Sequence, residues 1–235
     1  MRVVDLTLPL DSRSSMLHEH PPLQLIPIHR HATHGRSNTA ITVSLHAGTH
    51  VDSPYHFHAE GPPIDRLSLD QMIAPAVLLD VRKDVTPRAP VTVDAVKRAL
   101  AAAGGSVRGR IPVVYTGWCD ASFYQPNYYV DNPYLAPDLA RWFVTERVRA
   151  VALDCPPDPL APTGPSQGDA PAHRTLLGAG IPIIEHICHL DQLRASHFLL
   201  FAVPVPVVGA DGAPARVIAI EQPEEMTAPG RHPSR

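Results

Sequence analysis

Apolar and polar residues follow two rhythms along this chain, and the two alternate from one end to the other. Period-two stretches rich in β-branched residues predict strands. Residues 3–10 (VVDLTLPL) and 39–45 (TAITVSL) have this character, separated by a polar loop that runs through Pro21 and Pro22. Residues 74–81 (APAVLLDV) are a short apolar run of buried-strand length. Helical spacing takes over at residues 92–103 (TVDAVKRALAAA), with Thr92 as N-cap and Gly104-Gly105 as the stop. A strand at 111–117, an amphipathic helix at 136–147 and a strand at 150–154 follow. Six prolines among polar residues make 156–171 a loop. A helix from Arg174 ends in glycine and leads to a strand at 181–185. The last two strands, 198–208 and 215–220, meet across Gly209-Ala-Asp-Gly212, a hairpin-type turn. Strands separated by short helices predict an α/β or α+β fold. We expect one domain over residues 1–222 and a frayed polar tail over 223–235.

Composition narrows the function classes. A chain of 235 residues, 44% hydrophobic and 18% charged, is long enough to close a core. A net charge of −3 with both signs scattered gives no electrostatic case for nucleic acid or an anionic membrane. No run approaches the roughly 18 apolar residues of a membrane span. The N-terminus lacks the basic and apolar regions of a signal peptide. Three cysteines without a C-x-x-C pair suit a reducing cytoplasm. The 14 histidines matter more, because several crowd into one segment and imidazole is the commonest metal ligand.

That segment is His46-Ala-Gly-Thr-His50-Val-Asp52-Ser-Pro-Tyr-His56. Its three histidines and its aspartate all occupy even positions, so in an extended chain they share one face. Residues four apart in a straight strand stand roughly 13 Å apart, whereas metal ligands approach an ion to about 2.0–2.2 Å. A straight strand therefore cannot gather His46, His50 and Asp52. Gly48 permits the bend that would, and Pro54 stiffens the exit. Thr49 either orients a ligand or shapes the turn. Further on, Glu185 ends an apolar strand, where an unpaired carboxylate is costly and a metal or an ion pair would relieve it.

The segment matches every fixed position of H-x-G-T-H-x-D-x-P-x-H, the signature of the cyclase family of metal-dependent hydrolases. That family includes kynurenine formamidases, isatin hydrolases and a lactone hydrolase. Thr116-Gly-Trp, Leu135-Ala-Pro-Asp-Leu-Ala-Arg-Trp, Ala172-His173 and Gly180-Ile-Pro-Ile-Ile-Glu185 resemble further family stretches, so the likeness covers most of the chain. It implies the family's swivelling β/α/β fold and a two-ion site of zinc or manganese. By position, His46, His50 and Asp52 would hold one ion. Asp52, His173 and Glu185 would serve the second, and His56 would transfer the proton. The implied reaction is hydrolysis of an amide bond in a small aromatic or cyclic substrate, arylformamidase-like, with opening of an isatin-type cyclic amide or a lactone as the alternative. Two cations supply an activated water near neutral pH and polarise a carbonyl, and an imidazole relays a proton to the leaving atom. Relatives also imply a homodimer or larger, to which the apolar run 198–208 would contribute.

One departure stands out. Kynurenine formamidases of this type carry a tryptophan in the N-terminal loop, but here the loop reads Ser14-Ser-Met-Leu-His18-Glu-His20, and Met16, Leu17 and His18 are the candidates to fill that space. Rival readings are weaker. Gly164-Pro-Ser166-Gln-Gly168 mimics a serine nucleophile elbow but is ringed by prolines. His50, Asp52 and His186 would form the triad of a non-haem iron oxygenase, which needs an all-β jelly roll. A metal-binding relative without turnover would not need His56.

Overall fold

Thr92 caps its helix as its position predicts: the side-chain oxygen accepts the Ala95 amide at 3.2 Å, and the chain leaves the helix at Gly104 with φ 78. Similar local rules set most elements of the computed structural model, which describes residues 1–14, 17, 20–161, 166 and 168–221. The expectations about Met16, His18 and the tail 223–235 lie outside the described residues.

In chain order the elements are β1 (Arg2–Asp5), β2 (Gln24–His29), α1 (His31–His34), β3 (Asn38–Thr42), β4 (His50–Asp52), α2 (Leu69–Met72), β5 (Ile73–Asp80), β6 (Pro90–Val91) and α3 (Val93–Ala103). They continue with β7 (Ile111–Tyr115), α4 (Trp118–Ser122), β8 (Tyr134–Leu135), α5 (Pro137–Thr145), β9 (Val151–Leu153), α6 (Pro171–Gly178), β10 (Ile183–Glu185), β11 (His197–Pro204) and β12 (Gly212–Glu221). The main sheet runs β1-β12-β11-β5-β7-β9-β10-β4, and β4 pairs β12 as well. That second pairing closes β12, β11, β5, β7, β9, β10 and β4 into a ring, with β1 alongside β12. The centre, β5-β7-β9-β10, is parallel, while β4, β11 and β12 pair antiparallel.

Strand alternation divides the core into two layers. Ala74, Ala76, Ile111, Val113, Ala152 and Ile184 face the inside of the ring. Their neighbours Val77, Leu79, Val114, Leu153 and Ile183 face outward and pack beneath α3, α5 and α6 with Leu139, Phe143 and Leu176. The many alanines inside suit a narrow barrel. Mixed α/β architecture meets the expected fold class and removes the jelly roll that the iron-oxygenase reading needs.

Two differences from the predicted elements bear on the site. Residues 39–45 do not run into the histidine segment. The strand ends at Thr42 and pairs with β2 in a separate two-stranded ribbon, and His50–Asp52 is its own strand. The helix placed from Arg174 starts earlier, at Pro171, so His173 is helical rather than in a loop. Proline at the first helical position needs no amide, so the same residue that punctuates a loop also opens this helix.

Candidate metal centre

Register explains how the segment is gathered. Gly48 turns the chain with φ 58, a left-handed conformation that glycine adopts without strain, and a Cβ there would also push against the end of the Leu10 side chain. Thr49 ties the turn down: its hydroxyl donates to the His186 carbonyl at 2.7 Å and accepts the Leu8 amide at 2.9 Å. It shapes the turn. In β4, Val51 points into the barrel, so His50 and Asp52 point outward toward the helices. Glu185 lies opposite His50, and Ile183 opposite Asp52. Three potential ligands thus share one face of two paired strands. His173 reaches the same place from the first turn of α6.

Three imidazoles repeat one arrangement. His50 places Nδ1 on the Gly48 carbonyl at 2.8 Å and turns Nε2 toward Asp52 Oδ1 at 3.2 Å. His173 places Nδ1 on Asp158 Oδ2 at 2.7 Å and turns Nε2 to Glu185 Oε1 at 3.0 Å and Asp52 Oδ2 at 3.4 Å. His46 places Nε2 on Asp211 Oδ2 at 2.9 Å and Nδ1 on Asp52 Oδ1 at 2.7 Å. Each ring has one nitrogen held by an outer acceptor and the other aimed at Asp52 or Glu185. This is how metal-binding histidines are oriented. Ligand atoms of His46, Asp52 and His56 lie within 4.8 Å of one another, as do those of His50, Asp52 and Glu185, so Asp52 belongs to both groups.

The electrostatics point the same way. Asp52 is fully buried, and its Oδ2 makes no hydrogen bond of good geometry among the described residues, His173 Nε2 standing 3.4 Å away. Such an atom is expensive unless a cation meets it. Burial opposes charge on Asp52, yet the imidazoles of His46, His50 and His56 hold its carboxyl well below the usual range. Burial likewise works against charge on His46, but the carboxylates of Asp52 and Asp211 raise its pKa to about 10. Glu185 is pushed up by burial and by the charge of Asp52. Protons held on the His46 and His173 imidazoles offset the charge of the buried carboxylates; a divalent cation would take those protons' place. The donor set, imidazole nitrogen and carboxylate oxygen, suits zinc, manganese and iron alike. It therefore fits a divalent metal.

A cavity of about 920 Å³ opens over the cluster. Leu17, Phe57, Tyr129, Pro157 and Leu160 supply apolar wall. His56 lines it too, stacked on His46 with ring centroids 4.1 Å apart. Of the three loop candidates, Leu17 is at the cavity. Neither tryptophan is: Trp118 and Trp142 pack against the helical core layer. His186 is buried behind Glu185, its Nδ1 on the Tyr128 hydroxyl at 2.8 Å and its Nε2 3.3 Å from Glu185 Oε2. Cys188 is core, and Ser166 itself is in neither a strand nor a helix, its neighbours 162–165 and 167 lying outside the described residues.

Asp158 and Asp211 escaped the reading of the sequence. Asp158 also accepts the Ala172 and His173 amides at 2.9 and 3.0 Å, capping α6 while it holds the His173 ring. Proline on both sides made Asp158 look like loop, and Asp211 looked like an ordinary turn residue. Only the hairpin turn itself, Gly209-Ala-Asp-Gly212, could have drawn attention to the second.

Known proteins share this framework. A family model described as Putative cyclase matches residues 4–157. Kynurenine formamidase of Geobacillus thermodenitrificans is 31% identical over 182 residues, 75% of this chain and 76% of that protein. The enzyme of the same name from Salinibacter ruber is 29% identical over 79% of this chain and 80% of its own. Among solved structures, isatin hydrolase A of Labrenzia aggregata bound to benzyl benzoate superposes with a TM-score of 0.82 at 23% identity, covering 93% of each chain. A potential metal-dependent hydrolase with cyclase activity gives 0.72 at 24% identity, over 94% of this chain and 99% of its own.

Proposed function

The chain belongs to the cyclase family, and from that premise we propose that it is a metal-dependent hydrolase of carbon–nitrogen bonds in small aromatic or cyclic amides, arylformamidase-like. The observation that carries this reading is the gathering of three imidazoles on two buried carboxylates: His46 and His50 face Asp52 Oδ1, and His173 faces Glu185 Oε1 and Asp52 Oδ2. Those five residues would hold the metal, either one ion or two sharing Asp52, with zinc or manganese as the candidates. Bound there, a divalent cation lowers the pKa of water and polarises a carbonyl.

The chain's own groups do the rest. Asp158, Asp211 and the Gly48 carbonyl hold the outer nitrogens of the imidazoles, so the rings need not reorganise as charge develops. His56 is the proton carrier. It is 26% exposed at the cavity wall and has Nδ1 toward Asp211, which leaves Nε2 to accept a proton and return it to the leaving nitrogen. Tyr129 and the ring of Phe57, which packs against His173 and the Arg174 guanidinium, give the cavity an aromatic wall suited to a planar substrate.

Opening of a cyclic amide is the second reading. It draws support from the absence of a tryptophan among the described cavity residues. A hydrolysis screen of the purified, metal-loaded enzyme against an N-formyl aryl amine, isatin and an aryl lactone tests both. We expect the formyl amide or isatin to turn over fastest. Hydrolysis of the lactone alone would overturn the carbon–nitrogen assignment.

A further inference from the structure

Two histidines with different proposed tasks share one acceptor. Asp211 Oδ2 lies 2.9 Å from His46 Nε2 and 3.4 Å from His56 Nδ1, the second contact being the looser. A carboxylate oxygen can only accept, so an imidazole nitrogen that faces it keeps its proton. At His46 the Nε2 proton stays directed at Asp211, so the Nδ1 proton, which faces Asp52 Oδ1 at 2.7 Å, is the one a metal would displace. At His56 the same rule leaves Nε2. One oxygen therefore sets the inner nitrogen of a proposed ligand and the working nitrogen of the proposed proton carrier.

The position of this carboxylate is built by backbone. The Ser53 amide and hydroxyl both donate to the Asp211 carbonyl, at 2.9 and 2.8 Å. The Ile64 amide donates to the Ala210 carbonyl at 2.8 Å, and Asp65 Oδ1 accepts the Gly209 amide at 2.9 Å. Gly212 then enters β12 directly opposite Asp52. A Cβ on Gly212 would stand 2.8 Å from His46 Cε1 and 2.9 Å from the Val51 carbonyl, so the turn comes as close to the His46 ring as glycine allows. None of these bonds uses the Asp211 carboxylate. Its side chain can be changed while the turn that carries it remains.

We propose that Asp211 is a positioning residue that fixes the tautomer and orientation of His46 and His56 together, so that loading of the metal and transfer of the proton depend on a single carboxylate. This rests on the roles proposed above for the two histidines.

The test compares wild type with Asp211→Asn and Asp211→Ala. Asparagine keeps an acceptor oxygen; alanine removes it. Four quantities are read: zinc stoichiometry, zinc affinity by chelator competition, and kcat and KM separately for an N-formyl aryl amine. We expect unchanged stoichiometry, zinc affinity 10- to 100-fold weaker in Asp211→Ala, and a fall in kcat of similar size with KM within twofold. Asp211→Asn should recover part of both losses. If Asp211→Ala does not fold, the Asn variant alone decides through the same readings. Affinity and kcat within twofold of wild type in both variants would overturn the proposal, and so would loss of one ion per chain, which would make Asp211 a ligand. Wild type that binds no zinc and turns nothing over would instead refute the functional reading beneath it.

Discussion

Asp52 and His56 stand four positions apart and carry different burdens. Asp52 is buried and faces His46, His50 and His173, whereas His56 lines the cavity and touches Asp211. Asp52→Ala should therefore lose bound metal together with turnover. His56→Ala should keep its metal and lose roughly 10²–10⁴-fold in rate, the usual size of a general acid–base contribution. Elemental analysis of the two purified variants, beside their kcat values, checks this. An empty site in His56→Ala would make that residue a ligand. At this scale the sequence was most legible where the chemistry is local. His46, His50, Asp52 and His56 sit in one segment whose glycine and proline announce a bend. Asp158 and Asp211 were not legible, because Asp211 meets its histidine from 165 positions away and no spacing rule reaches that far.

Elements whose determinants lie within a few residues were foreseen well. The helix capped by Thr92 appears where periodicity placed it, and β11 and β12 pair as a hairpin, with β11 ending at Pro204 rather than at residue 208 and β12 starting at Gly212. Thr92→Ala should cost about 1 kcal/mol through the lost cap, with activity unchanged. Urea unfolding against wild type measures it, and no shift in midpoint would show that the bond to the Ala95 amide contributes nothing. Elements that depend on distant partners were read less well. The pairing of β3 with β2 rather than its continuation into the histidine turn is a matter of register between segments about 10 to 18 positions apart. Closure of the barrel by β4 is less visible still. A three-residue strand with two polar members has no periodicity to detect, yet its pairing with both β10 and β12 is what brings Asp52 between Glu185 and Asp211.

At the scale of the whole molecule, two surfaces bear on behaviour in solution. The ribbon of β2 and β3 exposes Leu25, Ile26, Ile28 and Ile41, and the end of β11 and its turn expose Val203, Val205 and Val208. Phe198, Leu200 and Ala202 of β11 are spent inside the barrel, so the apolar run noted in the sequence divides between core and surface. A two-stranded ribbon is only marginally stable alone. We expect a dimer or larger assembly, and a monomer by light scattering at micromolar concentration would contradict that. The cavity wall makes a second prediction. With Leu17 on the wall and both tryptophans packed elsewhere, the enzyme lacks one stacking partner, a loss of about 0.5–1.5 kcal/mol or up to roughly tenfold in affinity. N-formylkynurenine should then be a poorer substrate than it is for a dedicated formamidase, by kcat/KM measured side by side. Equal efficiency would show that Phe57 and Tyr129 suffice.

All of these expectations depend on whether catalysis needs a metal held by this cluster. Titrating Zn²⁺ or Mn²⁺ into rigorously metal-free protein while following hydrolysis of an N-formyl aryl amine addresses that directly. The expected result is no turnover at zero metal and a rise to a plateau at one or two ions per chain, absent in Asp52→Ala. Full activity in the metal-free protein would contradict it.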